Sequence, residues 1–252
     1  MNKKEPCFAT YPKRNDVLNF VFQVRNYLHP GYFEPLETSE EKYRESKLKE
    51  IKDLYETYIC KFTSKEFLKE LPHLKEMLDS DVEFFLESDP AIEQKEEVVI
   101  TYPGYFAILF YRIAHILYKL EIPLVPRVIT EIAHSMTGID IHPGARIGYP
   151  FFIDHGTGIV IGETTIIGHH VKIYQGVTLG ALSLSKGRLM KGIKRHPTIK
   201  NYVTIYANAS ILGGDVTIGN NVTIGGNVFL MESIPDNTRV LISKPDLIME
   251  KK

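Results

Sequence analysis

The strongest constraint on the fold is a six-residue repeat of aliphatic side chains that begins after Gly138. A helix repeats every 3.6 residues and a strand every two, so neither produces this spacing. Hexapeptide periodicity is typical of a parallel β-helix, in which three hexads close one triangular coil and the repeated side chains stack inside it. The positions in phase are Ile141, Ile147, Ile153 and Ile159, then Ile161, Ile167, Ile173 and Leu179, then Ile199, Ile205 and Ile211, and finally Leu212, Ile218, Ile224 and Leu230.

The chain before Gly138 has the pattern of α-helices instead. Capping boxes, in which Ser or Thr precedes Glu by three residues, begin at Thr38, Thr63 and Ser80 and predict several short helices. Residues 102–120 are apolar on nearly every side, which predicts a buried helix or one packed against another subunit. We therefore expect an α+β protein with an N-terminal α-helical domain at 1–137, a left-handed parallel β-helix at 138–231 carrying a protruding loop at 181–197, and a C-terminal tail at 232–252.

Composition argues against several classes of function. Thirty basic residues against 31 acidic ones leave a net charge of −1, which offers no electrostatic footprint for nucleic acid or an anionic membrane. No segment approaches the roughly 18 apolar residues of a membrane span or resembles a signal peptide, so we expect a cytoplasmic protein. Cys7 and Cys60 are too few for a disulfide framework or a CxxC metal site. The expected partner is a small molecule.

An Asp-His pair stands inside the repeat, in the stretch FIDHGTGIVIG at residues 152–162. Strand alternation sends the side chains of Asp154 and His155 in different directions, so at least one leaves the packed interior. An imidazole in a cleft between coils of a trimer can act as a general base near neutral pH. Asp140, 15 residues upstream and therefore close to one coil away, is the candidate to orient it. A structural histidine is the alternative interpretation.

The loop 181–197 interrupts the repeat and is polar and basic. A long loop that leaves a regular coil is often functional, although a solvated charged surface produces the same composition. Its basic residues are Lys186, Arg188, Lys191, Lys194 and Arg195.

Five segments, in order, resemble motifs of one enzyme family. They are SDPAI (88–92), GIDIHPGARIG (138–148), DHGTGIVIGET (154–164), GVTLG (176–180) and RHPTI (195–199). On these motifs the sequence is similar to the serine O-acetyltransferases, a branch of the hexapeptide acyltransferases, from about residue 80 to about residue 230. The resemblance implies an acyltransferase that moves acetyl from acetyl-CoA to the L-serine hydroxyl, giving O-acetylserine for cysteine biosynthesis without a metal.

The resemblance also implies roles for individual residues. His155 would take the serine hydroxyl proton and Asp140 would orient its imidazole. Asp89 and Asp154 would hold the ammonium of serine, and Arg195 and His196 would lie near its carboxylate. Acetyl-CoA would lie in a groove between two subunits, along Gly180, Ala181, Ala207, Gly225 and Gly226.

The resemblance further implies a homotrimer, which pairs into a dimer of trimers in the family, and feedback inhibition by L-cysteine. The loop 181–197 is longer and more basic than the family pattern, and SKPDLI (243–248) departs from the pattern near the C-terminus. Family members that bind O-acetylserine sulfhydrylase end in Ile, whereas this chain ends in Lys252. We therefore expect no efficient complex with a sulfhydrylase.

Alternative functions remain open from the sequence. A sugar, nucleotide-sugar or antibiotic acetyltransferase uses the same coil and one histidine, but it has no need of charged groups for an ammonium and a carboxylate. A non-catalytic scaffold is another alternative. A zinc enzyme resembling the γ-type carbonic anhydrases would need three converging histidines, and the chain lacks the HxxxxH spacing of that class. The available histidines are His142, His155, His169, His170 and His196.

Overall fold

The computed structural model describes residues 11–182 and 192–243. Cys7, the middle of loop 181–197 and the last residues of the predicted tail lie outside this range. In the described part, no helix combines the length and apolar character needed to cross a membrane. Its N-terminal helices are α1 (Arg14–Leu28), α2 (Glu40–Leu54), α3 (Ser64–Ser88), α4 (Lys95–Thr101), α5 (Pro103–Lys119) and α6 (Val125–Thr137), with a π-helical turn (Tyr55–Ile59) and a 3₁₀ turn (Lys61–Thr63) between α2 and α3.

The predicted helix starts are partly wrong. Ser39, not Thr38, caps α2, because its side chain accepts a hydrogen bond from the backbone N–H of Lys42. Ser80 does not start a helix, since it lies inside α3, which continues through it from Ser64 to Ser88. A continuous buried stripe favours one long helix over two short ones. The stripe includes Phe67, Leu71, Leu74, Leu78 and Phe85.

After Gly138 the chain forms a left-handed parallel β-helix, as the hexad repeat predicts. Each of its three sheets receives every third strand, except where β14 closes the third sheet, so three strands form one coil. The first sheet contains β1 (Asp140–Ile141), β4 (Val160–Ile161), β7 (Thr178–Gly180), β10 (Ser210–Leu212) and β13 (Phe229–Leu230). The second sheet contains β2 (Arg146–Ile147), β5 (Ile166–Ile167), β8 (Thr198–Ile199) and β11 (Thr217–Ile218). The third sheet contains β3 (Phe151–Asp154), β6 (Val171–Tyr174), β9 (Thr204–Ile205), β12 (Thr223–Ile224) and β14 (Arg239–Val240).

The repeated aliphatic side chains form the core of this coil. In the third sheet, Ile153 pairs in register with Ile173, and Ile173 with Ile205, and all three are fully buried. The register therefore confirms the predicted stacking of equivalent hexads. At the one-residue slip, Ile211 is fully buried whereas Leu212 is only half-buried, so Ile211 is the core residue of β10.

The corners between the sheets form edges that run along the coil. We call first edge the corner between the third and first sheets, at residues 155–158, 175–177, 206–209 and 225–228. We call second edge the corner between the first and second sheets, at residues 142–145, 162–165, 181–182, 192–197 and 213–216. The outer face of the first sheet separates these two edges in a single chain.

A buried ion pair joins the helices to the start of the coil. Arg112 on α5 donates from Nε and Nη2 to the two carboxylate oxygens of Asp81 on α3, at 2.7 and 2.9 Å. The same guanidinium donates to the carbonyl oxygen of Gly148, and Asp81 accepts the backbone N–H of Phe151.

The described helices end at Thr137, and strand pairing continues into β14, within the predicted tail. The proposed division into domains remains a prediction.

Candidate active site

His155 lies on the first edge and projects away from the coil. It follows β3 with a left-handed φ of 55°, and Gly156 continues the turn with φ 87°. Gly156 is required here, because a Cβ at this position would overlap Ile139. The imidazole is 70% exposed, and its Nε2 lies 3.7 Å from Oδ1 of Asp154. An exposed ring beside a carboxylate is free to contact a substrate, as the sequence predicts for a general base.

Asp154 lies beside this histidine, and Asp89 and Asp154 both act on the same two tyrosines. Asp89 follows the last residue of α3, and Asp154 ends β3 in register with Tyr174. Burial, then the hydrogen bond to Asp89 and the charges of Asp89, Glu97 and Asp154 raise the pKa of Tyr102. Burial, and then the charges of Asp154 and Asp89 among its causes, raise the pKa of Tyr174. Within residues 11–182 and 192–243, neither carboxylate pairs with a lysine or an arginine. The pair is therefore an uncompensated negative site that suits a small cation.

The structure pairs Asp140 with Arg127. Oδ1 of Asp140 accepts a hydrogen bond of 3.0 Å from Nη1 of Arg127, which also pairs with Glu131 one turn along α6. No hydrogen bond joins Asp140 to His155 within the described chain. The spacing of Asp140 and His155 along the chain carries no information about α6, which brings the Arg127 guanidinium to the start of β1.

The second edge carries Arg195 and His196. The backbone N–H groups of both residues donate to Oγ1 of Thr164, and the Arg195 guanidinium pairs with Glu163. Burial, and then the charge of Arg195, lower the pKa of His196 to about 4, so this ring is neutral at pH 7. Its Nδ1 accepts the backbone N–H of Thr164 at 3.0 Å, which leaves the ring proton on Nε2. A Cβ at Gly162 would overlap the His196 ring.

The residues predicted to line the acetyl-CoA site divide between the same two edges. Gly180 and Ala181 lie where β7 meets the second edge, whereas Ala207 and Gly226 lie on the first edge, as does Gly225. The glycines also have packing reasons. A Cβ at Gly180 would lie 2.8 Å from Leu212 Cδ2, and one at Gly226 would lie 3.2 Å from the carbonyl oxygen of Ala207.

The described residues offer one candidate group of metal ligands, and its surroundings do not favour a cation. Glu131, His134 and Asp140 are the one group there whose ligand atoms lie within 4.8 Å of one another. Arg127 pairs with both of its carboxylates, and a guanidinium in that position opposes a divalent cation. The histidines considered for zinc are distributed over the corners of the coil. His155 lies on the first edge, His142 and His196 lie on the second, and His169 and His170 lie at the corner between the second and third sheets.

Sequence reasoning missed three neighbours of the site: Tyr102, Tyr174 and Glu163. Tyr102 donates to Asp89, Tyr174 stands one coil below Asp154, and Glu163 pairs with Arg195. The spacing of β6 relative to β3 could have indicated Tyr174, because it equals one coil. No local pattern indicates the contact made by Tyr102.

A left-handed parallel β-helix with an exposed histidine on one edge and glycine-rich corners along it defines a hexapeptide-repeat protein. Known proteins support a narrower assignment. A plasmid-borne serine acetyltransferase of Synechococcus elongatus is 55% identical over 144 residues, which are 56% of this chain and 45% of that protein. A serine acetyltransferase of Helicobacter pylori is 49% identical over 130 residues, which are 52% of this chain and 72% of that protein. The chain belongs to the serine acetyltransferase family.

Solved structures agree over most of the chain. Serine acetyltransferase 1 of Entamoeba histolytica in complex with L-cysteine matches with a TM-score of 0.81 and 35% identity, covering 92% of this chain and 88% of that one. The enzyme of Neisseria gonorrhoeae in complex with serine matches at 0.67 and 27% identity, covering 93% and 85%. A serine acetyltransferase in complex with CoA matches at 0.63 and 28% identity, covering 88% and 81%. No family model matches the chain, and the chain spans about half the length of the Synechococcus relative.

Proposed function

We propose that this protein is a serine O-acetyltransferase that converts acetyl-CoA and L-serine into O-acetylserine and CoA. The observation that carries the proposal is the position of His155, exposed on the first edge beside Asp154. Asp154 and Asp89 act on the same tyrosines, and neither carboxylate has a lysine or arginine partner in the described residues. A sugar hydroxyl would leave this negative pair uncompensated, whereas the ammonium of serine neutralises it.

The carboxylate of serine needs a cation of its own, and the proposed groups lie on the second edge. Arg195 presents five donors in a planar fork, so it can hold Glu163 and still donate to a substrate carboxylate. The neutral His196 ring adds an Nε2–H donor that carries no charge. Within one chain these groups lie across the first sheet from His155.

We therefore place the active site between two subunits of a homotrimer, where the first edge of one chain faces the second edge of its neighbour. The proposed serine-binding and CoA-binding residues both divide between these edges, which is the division that a shared groove requires. The separating face also carries exposed apolar side chains: Val160 is 39% exposed and Phe229 is 60% exposed. Exposed apolar side chains on a regular face are typical of a surface that another subunit covers.

The chemistry requires little besides alignment and a base. His155 removes the proton from the serine hydroxyl while the oxygen attacks the thioester carbonyl, so the new C–O bond forms as the oxyanion develops. When the C–S bond breaks, the imidazolium returns its proton to the departing thiolate, and His155 ends the cycle neutral. Asp154 is the carboxylate nearest to the imidazole in this structure. We propose that Asp140 orients the ring when substrates tighten the site, for which Arg127 must release it.

A thiol-release assay tests the proposed function. Purified protein with acetyl-CoA should release free thiol with L-serine and not with glucose, a nucleotide sugar or an aminoglycoside at equal concentration. Dialysis against a chelator should leave the rate unchanged. Release with a sugar alone would favour the other acyltransferase function, and release with none of the acceptors would support a scaffold.

A further inference from the structure

We propose that Tyr102 is a positioning residue for the acceptor amine, because its hydroxyl fixes the Asp89 carboxylate that faces the substrate ammonium. The inference rests on the proposed function and adds a residue to it. Tyr102 joins α4 to α5, and its hydroxyl donates to Oδ2 of Asp89 at 2.8 Å. The other carboxylate oxygen, Oδ1, accepts the backbone N–H of Ala91 at 2.9 Å.

These two hydrogen bonds define the orientation of a carboxylate that would otherwise rotate. Asp89 lies at the C-terminal end of α3, where the exposed helix carbonyls are negative and repel a carboxylate. Each carboxylate oxygen accepts two hydrogen bonds, so each retains one acceptor position for an ammonium. With only the Ala91 contact left, the side chain keeps one fixed oxygen, and the second is free to turn toward solvent.

The position of Tyr102 is fixed by a contact of its ring and by the packing of the backbone that follows it. It packs edge-on against Phe85, with ring centroids 5.9 Å apart at 89°, and Phe85 is fully buried one turn before Asp89 on the same helix. Two residues after Tyr102, a Cβ at Gly104 would overlap the carbonyl oxygen of Ile153. The start of α5 therefore lies directly on β3, the strand that ends in Asp154.

Tyr102 thus connects the two carboxylates of the proposed ammonium site through one rigid junction. Burial and the charge of Asp89 hold the pKa of Tyr102 above its usual range, so the hydroxyl stays a donor at any pH at which the enzyme works. Tyr102 contacts no reacting atom in this arrangement, and its effect on the reaction passes through Asp89.

The test is Tyr102→Phe, which keeps the ring and its contact with Phe85 and removes only the hydroxyl. We expect the KM for L-serine to rise about tenfold, which corresponds to about 1.4 kcal/mol. The KM for acetyl-CoA and kcat should stay within about twofold of wild type, a split that general loss of structure does not produce. In an Asp89→Asn background, Tyr102→Phe should raise the KM for L-serine by less than about twofold, because the charge that Tyr102 orients is already gone.

A matched control is Tyr43→Phe, which removes the hydroxyl that donates to Glu34 in the helical region, away from both edges. It should leave both KM values unchanged. A KM for L-serine within about twofold of wild type in Tyr102→Phe, or an equal rise in the Asp89→Asn background, would overturn the inference while leaving the proposed function intact. Calorimetric titration compares the affinities of the same variants for L-serine and needs no turnover. A wild type that binds L-serine without acetylating it would therefore contradict the proposed function and leave the inference about Tyr102 testable.

Discussion

Replacement of Arg112 by methionine is expected to destabilise the protein by about 4 kcal/mol, because it leaves a buried carboxylate without its cation. Asp81 is fully buried and Arg112 is 3% exposed, so water cannot take the place of the guanidinium. The remaining partner of Asp81 is the backbone N–H of Phe151. Removal of one member of a buried ion pair costs about 3–5 kcal/mol, a large part of the roughly 5–15 kcal/mol by which most domains are stable.

A second substitution separates the effect of charge from that of packing. Asp81→Leu added to Arg112→Met removes the orphaned carboxylate and leaves the Phe151 N–H unpaired, which costs about 1–3 kcal/mol. The loss of the Arg112 hydrogen bond to the Gly148 carbonyl oxygen is common to both variants. The double variant should therefore be more stable than Arg112→Met alone. Lys75→Met, which removes an exposed pair with Asp79, is the control and should change stability by about 0.5 kcal/mol or less.

The assay is urea unfolding followed by circular dichroism, with every variant at one protein concentration because the proposed trimer would make apparent stability depend on concentration. A loss below about 1 kcal/mol in Arg112→Met would refute the argument. So would a double variant that is less stable than the single one.

Three further predictions concern the site and the pH range of stability. His155→Ala should reduce acetyl transfer by about 10²-fold or more without changing the thermal midpoint, because the imidazole projects from the coil; near-normal turnover would remove it from the mechanism. L-Cysteine should compete with L-serine, since it differs only in SH for OH and presents the same ammonium to Asp89 and Asp154; steady-state kinetics that show no competition at millimolar concentration would contradict this. Burial lowers the pKa of His29 to about 4. Because the folded pKa lies below the unfolded value, stability is lost as pH falls from about 6.5 toward 4, and His29 should account for about 2 kcal/mol of the loss at pH 5. His29→Gln should remove that part of the difference between pH 7 and pH 5 in urea unfolding, and an unchanged difference would show that burial does not depress this pKa.

Much of the coil could be predicted because its information is local and periodic. Ile153, Ile173 and Ile205 recur at multiples of the hexad, and the same spacing places them in register one coil apart. The glycine after His155 likewise signals a tight corner. The error at Leu212 arose because either of two adjacent aliphatic residues can continue the phase after a slip, and only packing decides which one points inward.

The unpredicted features depend on contacts between distant segments. The Ser80–Glu83 pattern is a valid helix start in isolation, but the continuous stripe of α3 overrides it. The contact of Arg127 with Asp140 exists because α6 leads directly into β1, and the contact of Tyr102 with Asp89 exists because α5 docks on β3. Neither geometry is encoded in the spacing of the residues concerned.

The central claim is that acetyl transfer to L-serine occurs at a site shared by two subunits, and mixed trimers test it most directly. His155→Ala disables the first edge and Arg195→Ala the second, so each variant alone should be nearly inactive when L-serine is below its KM. In trimers assembled at random from equal amounts of both, about one interface in four joins two intact edges. Thiol release should then recover to about a quarter of the wild-type rate, whereas a rate no higher than the mean of the two variants would show that the site lies within one chain.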